Sequence, residues 1–89
     1  MIDKRIKQIA GHYGSSHQQR QCIEELTELS LALQQYRKGK ATIYDIASEI
    51  ADVQIMLQQM MFFFGLSSKV EEKTEFKINR QLKRIEREK

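Results

Sequence analysis

Apolar side chains recur every three or four positions in four separate segments of this chain, with polar side chains between them. That spacing matches the 3.6-residue period of an α-helix that buries one side. The first three segments are residues 2–12, 17–38 and 43–64. The fourth follows a serine cap at residue 67 or 68 and runs to about residue 88. The pattern therefore predicts four helices joined by short connections.

The connections carry the residues that usually end and begin helices. In "GHYGSSH", Ser15 or Ser16 is placed to cap the second helix through its hydroxyl oxygen. In "KGKAT", Gly39 stands where a helix commonly ends on a glycine. In "GLSS", a serine is expected to cap the fourth helix (Ser67, or Ser68 with Glu71 completing a capping box).

Composition supports an all-α protein. The 89 residues include no proline and only four glycines, which favours long uninterrupted helices. Such a length allows one domain, residues 1–89, with a thin core. We therefore predict a small four-helix bundle, and its thin core favours completion by association with copies of itself.

Acidic side chains lie close to the apolar sides of the two central helices. At about 100° per residue, Glu25 falls at the edge of the second helix's stripe, and Glu28 just outside it. On the third helix Glu49 falls inside the stripe and Asp52 flanks it. The two stripes are expected to contain Cys22, Ile23, Leu26, Leu29, Ser30, Leu33 and Tyr36, and Ile46, Ile50, Val53, Met56, Leu57, Met60 and Phe64.

Antiparallel packing through these stripes would bring the four carboxylates together. A single acid in such a position is commonly explained by a nearby Lys or Arg, or by a wet helix edge. Here no basic residue lies between Cys22 and Tyr36 or between Ile43 and Phe64. Unpaired carboxylates are unfavourable in an apolar setting, so we predict a site for a hard divalent cation, Mg²⁺ or Mn²⁺. Neither histidine lies three residues after one of these acids, unlike the Glu-x-x-His pattern of di-iron bundles.

The net charge of +3 comes entirely from the last segment. Residues 67–89 contain eight basic and five acidic side chains, whereas residues 1–66 contain seven of each. A line of cations runs beside the inward side expected for the fourth helix, which comprises Val70, Thr74, Ile78, Gln81 and Ile85. This line (Lys73, Lys77, Arg80 and Arg84) can bind phosphate groups, improve solubility or contact nucleic acid.

These residues resemble a known family. "EELTE" followed after twenty residues by "EIAD" is similar to the EExxE…ExxD signature of the MazG-like, all-α nucleoside triphosphate pyrophosphohydrolases. The resemblance covers about residues 18–84. It implies Mg²⁺-dependent cleavage of a nucleoside triphosphate between the α and β phosphates, giving the monophosphate and pyrophosphate. It also implies sites assembled between subunits of a dimer or a dimer of dimers.

The resemblance assigns roles by position. Glu25, Glu28, Glu49 and Asp52 would be the metal ligands, and Glu24 would either support those ligands or help to orient water for catalysis. The helix after ExxD would hold the phosphates, which makes Lys73, Lys77, Asn79 and Arg80 the candidates. Base recognition falls to "HYGSSHQQ", where the candidates include His12, Tyr13 and Gln18. An ordinary capped turn explains that stretch equally well.

Other functions stay open from the sequence. A protein of the same fold can bind a Mg²⁺–nucleotide as a sensor without turnover, and phosphoribosyl-ATP pyrophosphohydrolases share the fold. A basic helical nucleic-acid-binding protein is a further alternative, but the central stretches of the two middle helices, residues 22–36 and 43–64, contain no basic side chain, so no stable nucleic-acid partner is expected.

Location and assembly follow from apolar patterns. The seven-residue run "MMFFFGL" is too short to span a bilayer, and the N-terminal segment lacks the apolar run of a signal peptide. We expect a cytoplasmic protein that does not enter membranes.

The third helix has a second apolar side (Ala51, Ile55 and Phe62) that either a second copy or the first helix covers.

Overall fold

A computed structural model describes residues 2–89 and shows four α-helices in that part of the chain, which confirms the all-α class. Their bounds are α1 Lys4–Tyr13, α2 Ser15–Arg37, α3 Ile43–Phe64 and α4 Ser67–Glu88. The third helix has the predicted ends, and the ends of the other helices differ from the predicted ones by at most two residues. Among the described residues, no helix combines the length and apolar content that a membrane span requires.

Local capping explains the ends of α3. Thr42 and Asp45 form a capping box, in which the Thr42 amide donates to Asp45 Oδ2 (2.7 Å) and the Asp45 amide donates to Thr42 Oγ1 (3.2 Å). At the other end Gly65 adopts φ 61° and ψ 40°, the left-handed conformation that ends many helices. The ends of α3 are therefore fixed by residues next to it in sequence.

The predicted serine caps are wrong. Gly14 precedes α2, and Ser15 and Ser16 already belong to the helix. Leu66 precedes α4, and neither Ser67 nor Ser68 caps it through a side-chain hydrogen bond. Both helices therefore begin earlier than predicted, and their capping positions fall on Gly14 and Leu66, the residues before the serines.

The core lies where α2 packs along α3, and two glutamines are part of it. Gln18 Nε2 donates to Gln59 Oε1 at 2.9 Å, and Gln59 Nε2 lies 3.6 Å from Met56 Sδ. Gln59 is only 1% exposed, so this amide pair satisfies polar atoms that would otherwise be buried alone. The other buried side chains are Ile6, Ala10, Cys22, Val53 and Met56.

Apolar side chains remain exposed along one side of α2 and α3, and we call this surface the open α2–α3 face. It includes Ile43, Ile50, Leu57 and Phe64 of α3, and Ile23, Leu26 and Leu33 of α2. The sequence predicted most of these residues for the packed stripes, and the structure corrects this. The packed side of α2 instead runs through Gln18, Cys22, Glu25 and Leu29, rotated away from the predicted centre.

The first helix contacts the second apolar side of α3 but leaves it partly open, since Ile55 and Phe62 remain 40% and 38% exposed. Ile55 lines a cleft with Ile6 and Ile9 of α1, and the Lys7 ammonium lies 5.9 Å from the centre of the Phe62 ring. The sequence left open whether α1 or a second copy packs on this side, and within the described chain α1 is the helix that contacts it.

The fourth helix stands apart from the other three. Within the described chain it contacts α3 and neither α1 nor α2, and none of its residues is buried. The inward side predicted for α4 is therefore exposed in the single chain, Val70, Ile78 and Ile85 included. One chain thus forms a three-helix core with α4 as an extension.

Candidate metal centre

Three carboxylates from two helices meet between α2 and α3. Glu25, Glu49 and Asp52 each present one oxygen, and these oxygens lie within 4.8 Å of one another. Glu25 projects from the packed side of α2, and Glu49 and Asp52 project one turn apart from α3. We call these three residues, together with Glu28, the acid cluster.

Two oxygens of the acid cluster are buried without any hydrogen-bond donor. These are Oε2 of Glu25 and Oε2 of Glu49. The other oxygen of Glu25 accepts a hydrogen bond from Gln21 Nε2 at 3.1 Å. Burying a polar atom without a partner is unfavourable, and most such atoms in folded proteins are satisfied. Glu25, Glu49 and Asp52 therefore form a group that could hold a metal ion.

The electrostatics of Glu49 agree with this geometry. Burial raises the pKa of Glu49 above its ordinary value, and the negative charge of Glu28 raises it further, followed by Asp52, Glu25 and Asp45. No basic side chain among residues 2–89 forms an ion pair with the acid cluster; the ion pairs of that range join Arg5 to Asp3 and Lys69 to Glu72. The negative charge of the cluster is therefore not neutralised within the described chain.

The donor set suits a hard divalent ion. It consists of carboxylate oxygens with no imidazole or thiolate, which favours Mg²⁺, Mn²⁺ or Ca²⁺ over zinc. Oxygens on opposite sides of one octahedral Mg²⁺ lie about 4.2 Å apart. A cluster with oxygens within 4.8 Å of one another therefore needs only small side-chain movements to enclose such an ion.

Two further acids lie outside this group of three carboxylates. Glu28 is exposed and stands outside the group of three close oxygens, although its charge acts on Glu49. Glu24 is exposed on α2 and does not belong to the group either. Of the four predicted ligands, the structure brings Glu25, Glu49 and Asp52 together and leaves Glu28 at the rim.

The predicted phosphate-binding residues lie elsewhere in the chain. Lys73, Lys77, Asn79 and Arg80 are all exposed on α4, which has no contact with α2. The charges of Lys73, Lys77 and Arg80 do not contribute to the pKa of Glu49. A single chain does not bring the cations to the acid cluster.

The predicted base-binding residues separate into two environments. His12 and Tyr13 are exposed at the end of α1, where the Tyr13 ring stacks on His17 with centres 5.0 Å apart. They line a surface depression of about 410 Å³. Gln18 is instead buried, with its amide group held by Gln59 and by His17 Nδ1 (2.6 Å). Its role in this chain is to pack α2 against α3.

Sequence reasoning missed two residues of the site. Gln21 was not considered, although it precedes Glu25 by four positions and side chains at that spacing face each other on a helix. Asp45 was also not considered, yet its charge acts on Glu49 from one turn away. Each of these residues is four positions from the glutamate that it affects, and this spacing can be read from the sequence.

Comparisons with protein-family models, with curated proteins and with solved structures give no match to this chain.

Proposed function

We propose that this protein is a Mg²⁺-dependent nucleoside triphosphate pyrophosphohydrolase. The observation that carries the proposal is the pair of buried, unpartnered oxygens on Glu25 and Glu49 in a cluster without a cation. These oxygens support a divalent metal. The resemblance of "EELTE…EIAD" to the MazG-like signature supplies the reaction.

The acid cluster would hold the metal from both central helices. Glu25 would bind from α2, and Glu49 and Asp52 from α3, with Glu28 completing the shell or binding a second ion. Magnesium bound there would stabilise negative charge on the phosphate oxygens and favour deprotonation of water. Gln21 would keep the Glu25 carboxylate oriented through its hydrogen bond.

The proposed reaction is attack of water on the α-phosphorus. The bond to the oxygen that bridges the α and β phosphates breaks, and pyrophosphate leaves. A carboxylate of the acid cluster accepts the proton of the attacking water, since carboxylates bring acceptor oxygens to this side of the site. The products are a nucleoside monophosphate and pyrophosphate. We further propose that the reaction takes place in the cytoplasm.

The separation between α4 and the acid cluster favours a second candidate function. A protein that binds a Mg²⁺–nucleotide through its acids needs no cations placed at the leaving phosphates. Such a sensor would use the same metal ligands and release no product. It is the alternative that the exposed position of Lys73, Lys77 and Arg80 supports.

The test is release of pyrophosphate from a panel of ribo- and deoxyribonucleoside triphosphates, with and without Mg²⁺. Glu49→Gln removes one metal ligand at nearly constant volume. Glu75→Gln is the matched control, because Glu75 is an exposed glutamate on α4 outside the acid cluster. We expect Mg²⁺-dependent pyrophosphate from the native protein and from Glu75→Gln, and none from Glu49→Gln.

The other outcomes separate the alternatives. Orthophosphate as the product would refute cleavage between the α and β phosphates. Absence of any product, with Mg²⁺–nucleotide binding that Glu49→Gln abolishes, would establish the sensor. Equal activity in Glu49→Gln and the native protein would refute the metal site.

A further inference from the structure

We infer that α4 binds single-stranded nucleic acid along one side, which we call the basic face. This face consists of one aromatic ring and five cations: Phe76 with Lys69, Lys73, Arg80, Lys83 and Arg87. The inference goes beyond the proposed function, because it concerns a surface outside the acid cluster and a polymeric ligand.

The cations of the basic face fall in one narrow sector of α4. At about 100° per residue they lie within roughly a quarter of the helix circumference, with Phe76 at the centre. The sector contains no acidic side chain of α4, and Glu71 and Glu75 lie on the other side of the helix. From Lys69 to Arg87 the face is about 27 Å long. A stacked single strand places about eight nucleotides along such a length, at roughly 3.4 Å each.

The charges of α4 are not arranged to stabilise the helix itself. A glutamate followed four positions later by a lysine or arginine stabilises a surface helix, and α4 contains no such pair. Lys69 with Lys73, and Lys83 with Arg87, instead place like charges four positions apart, which is unfavourable. Among residues 2–89 the one ion pair on α4 joins Lys69 to Glu72 at 3.3 Å, and both side chains are more than half exposed. The other cations of the face are therefore available to an anionic ligand.

Phe76 has no packing role within residues 2–89. Its exposed fraction is 65%, and α4 contacts only α3 and buries none of its residues. It lies about 180° round the helix from Ile85, so it does not belong to the apolar side of α4 either. Together with Asn79, Arg80 and Lys83 it lines a surface depression of about 310 Å³. A base can stack on such a ring while the neighbouring cations bind the phosphates on either side.

The position of α4 makes this face accessible. The sequence argued against a nucleic-acid partner because residues 22–36 and 43–64 contain no basic side chain. In the structure α4 extends from the three-helix core and has no contact with α2, so a strand can follow the basic face without crossing those stretches. A polyanion on α4 is therefore not forced against the carboxylates of the acid cluster.

The chemistry of α4 favours a single strand over a lipid surface or a duplex. A helix that lies on a membrane inserts its apolar side into the lipid. On α4 the apolar Ile78 and Ile85 point away from the basic face, so a flat membrane cannot contact both sides. A base inside a duplex is stacked on its neighbours and is not available to Phe76. A single strand offers both phosphates and free bases, which are the two groups that this face can bind.

Fluorescence anisotropy with labelled oligodeoxyuridine and oligouridine tests the inference, in EDTA and over a series of sodium chloride concentrations. EDTA keeps the acid cluster free of metal, so the result does not depend on the proposed enzymatic activity. We expect binding that weakens as salt increases, with a linear relation between the logarithms of affinity and salt concentration. Replacing Lys83 and Arg87 together with glutamine should reduce this slope by about 1.4. Replacing Lys38 and Lys40 with glutamine is the matched control, because these lysines are exposed outside α4, and the slope should not change.

Phe76→Ala separates stacking from charge. We expect it to weaken binding about tenfold and to leave the salt slope unchanged, because it removes a ring and no charge. Leu82→Ala is the control, since Leu82 has a similar exposed fraction (56% against 65%) on another side of α4. Circular dichroism checks that every variant keeps the helix content of the native protein.

The remaining outcomes decide the inference. A preference for one of the two strands would support it and identify the sugar. Absence of binding at low salt, equal affinity of Phe76→Ala and Leu82→Ala, or tighter binding of duplex DNA than of either strand would overturn it. Binding to vesicles of phosphatidylserine and phosphatidylcholine without binding to strands would also overturn it, and would assign α4 to a lipid surface.

Discussion

Glu25 on α2 and Glu49 on α3 each bury one carboxylate oxygen that accepts no hydrogen bond. The two residues are on different helices, and neither has a cationic partner among residues 2–89. Removing a carboxylate oxygen from water without compensation destabilises the fold. The metal-free chain therefore carries an electrostatic strain that a bound cation would relieve.

Metal binding should stabilise the protein. A ligand at one hundred times its dissociation constant adds about 2.7 kcal/mol to the free energy of unfolding, which raises the melting temperature of a chain this short by roughly 10–20 °C. Calorimetry with Mg²⁺ and after EDTA treatment measures the difference. Sodium chloride at the same ionic strength is the control for charge screening. Equal melting temperatures in Mg²⁺ and in EDTA would contradict a metal at this site.

Glu49→Gln should stabilise the metal-free protein at neutral pH. The pKa of Glu49 is raised in the folded state, so its contribution to stability is complete below its ordinary value of 4.5 and is lost as the pH rises through the raised value. Glutamine does not ionise, and the loss should be absent in the variant. Urea unfolding in EDTA from pH 4 upwards measures this, with Glu75→Gln as the control. A variant less stable than the native protein at pH 7 would contradict the explanation.

Gln59→Leu should destabilise the core by about 1–3 kcal/mol, because the buried Gln18 amide loses its acceptor. Replacing both glutamines with leucine should restore much of the loss, since no donor is then left unpaired. Urea unfolding followed by circular dichroism measures both variants. Gln81→Leu on the exposed side of α4 is the control. Additive effects of the two replacements would show that the amides do not interact.

Two glycine-to-alanine replacements should act in opposite directions. Gly65 has φ 61°, and a side chain there destabilises the protein by about 1–2 kcal/mol. Gly11 lies within α1, where alanine is favoured over glycine by about 0.5–1 kcal/mol. An added Cβ meets no atom within 4 Å at either position, so packing does not contribute. Thermal unfolding checks the signs, and a stabilising Gly65→Ala would contradict the left-handed conformation.

Local sequence determined the helices and the spacing of the acids. Thr42, Asp45 and Gly65 end α3 through contacts within one turn, so the bounds of that helix follow from neighbouring residues alone. The spacing of Glu49 and Asp52 likewise places both carboxylates on one side of α3 whatever the rest of the chain does.

Tertiary structure decided which sides of the helices pack. The apolar stripes of α2 and α3 are broad, and their period is equally compatible with a core centred on Leu26 and Ile50 or on Cys22 and Val53. The choice depends on partners far apart in sequence, such as Gln18 and Gln59, which are 41 positions apart. The same reason applies to α4, whose amphipathic pattern predicted an inward side although, within residues 2–89, α4 contacts only α3 and buries none of its residues. A helical period specifies that one side of a helix favours burial, but only the assembled molecule supplies the surface that buries it.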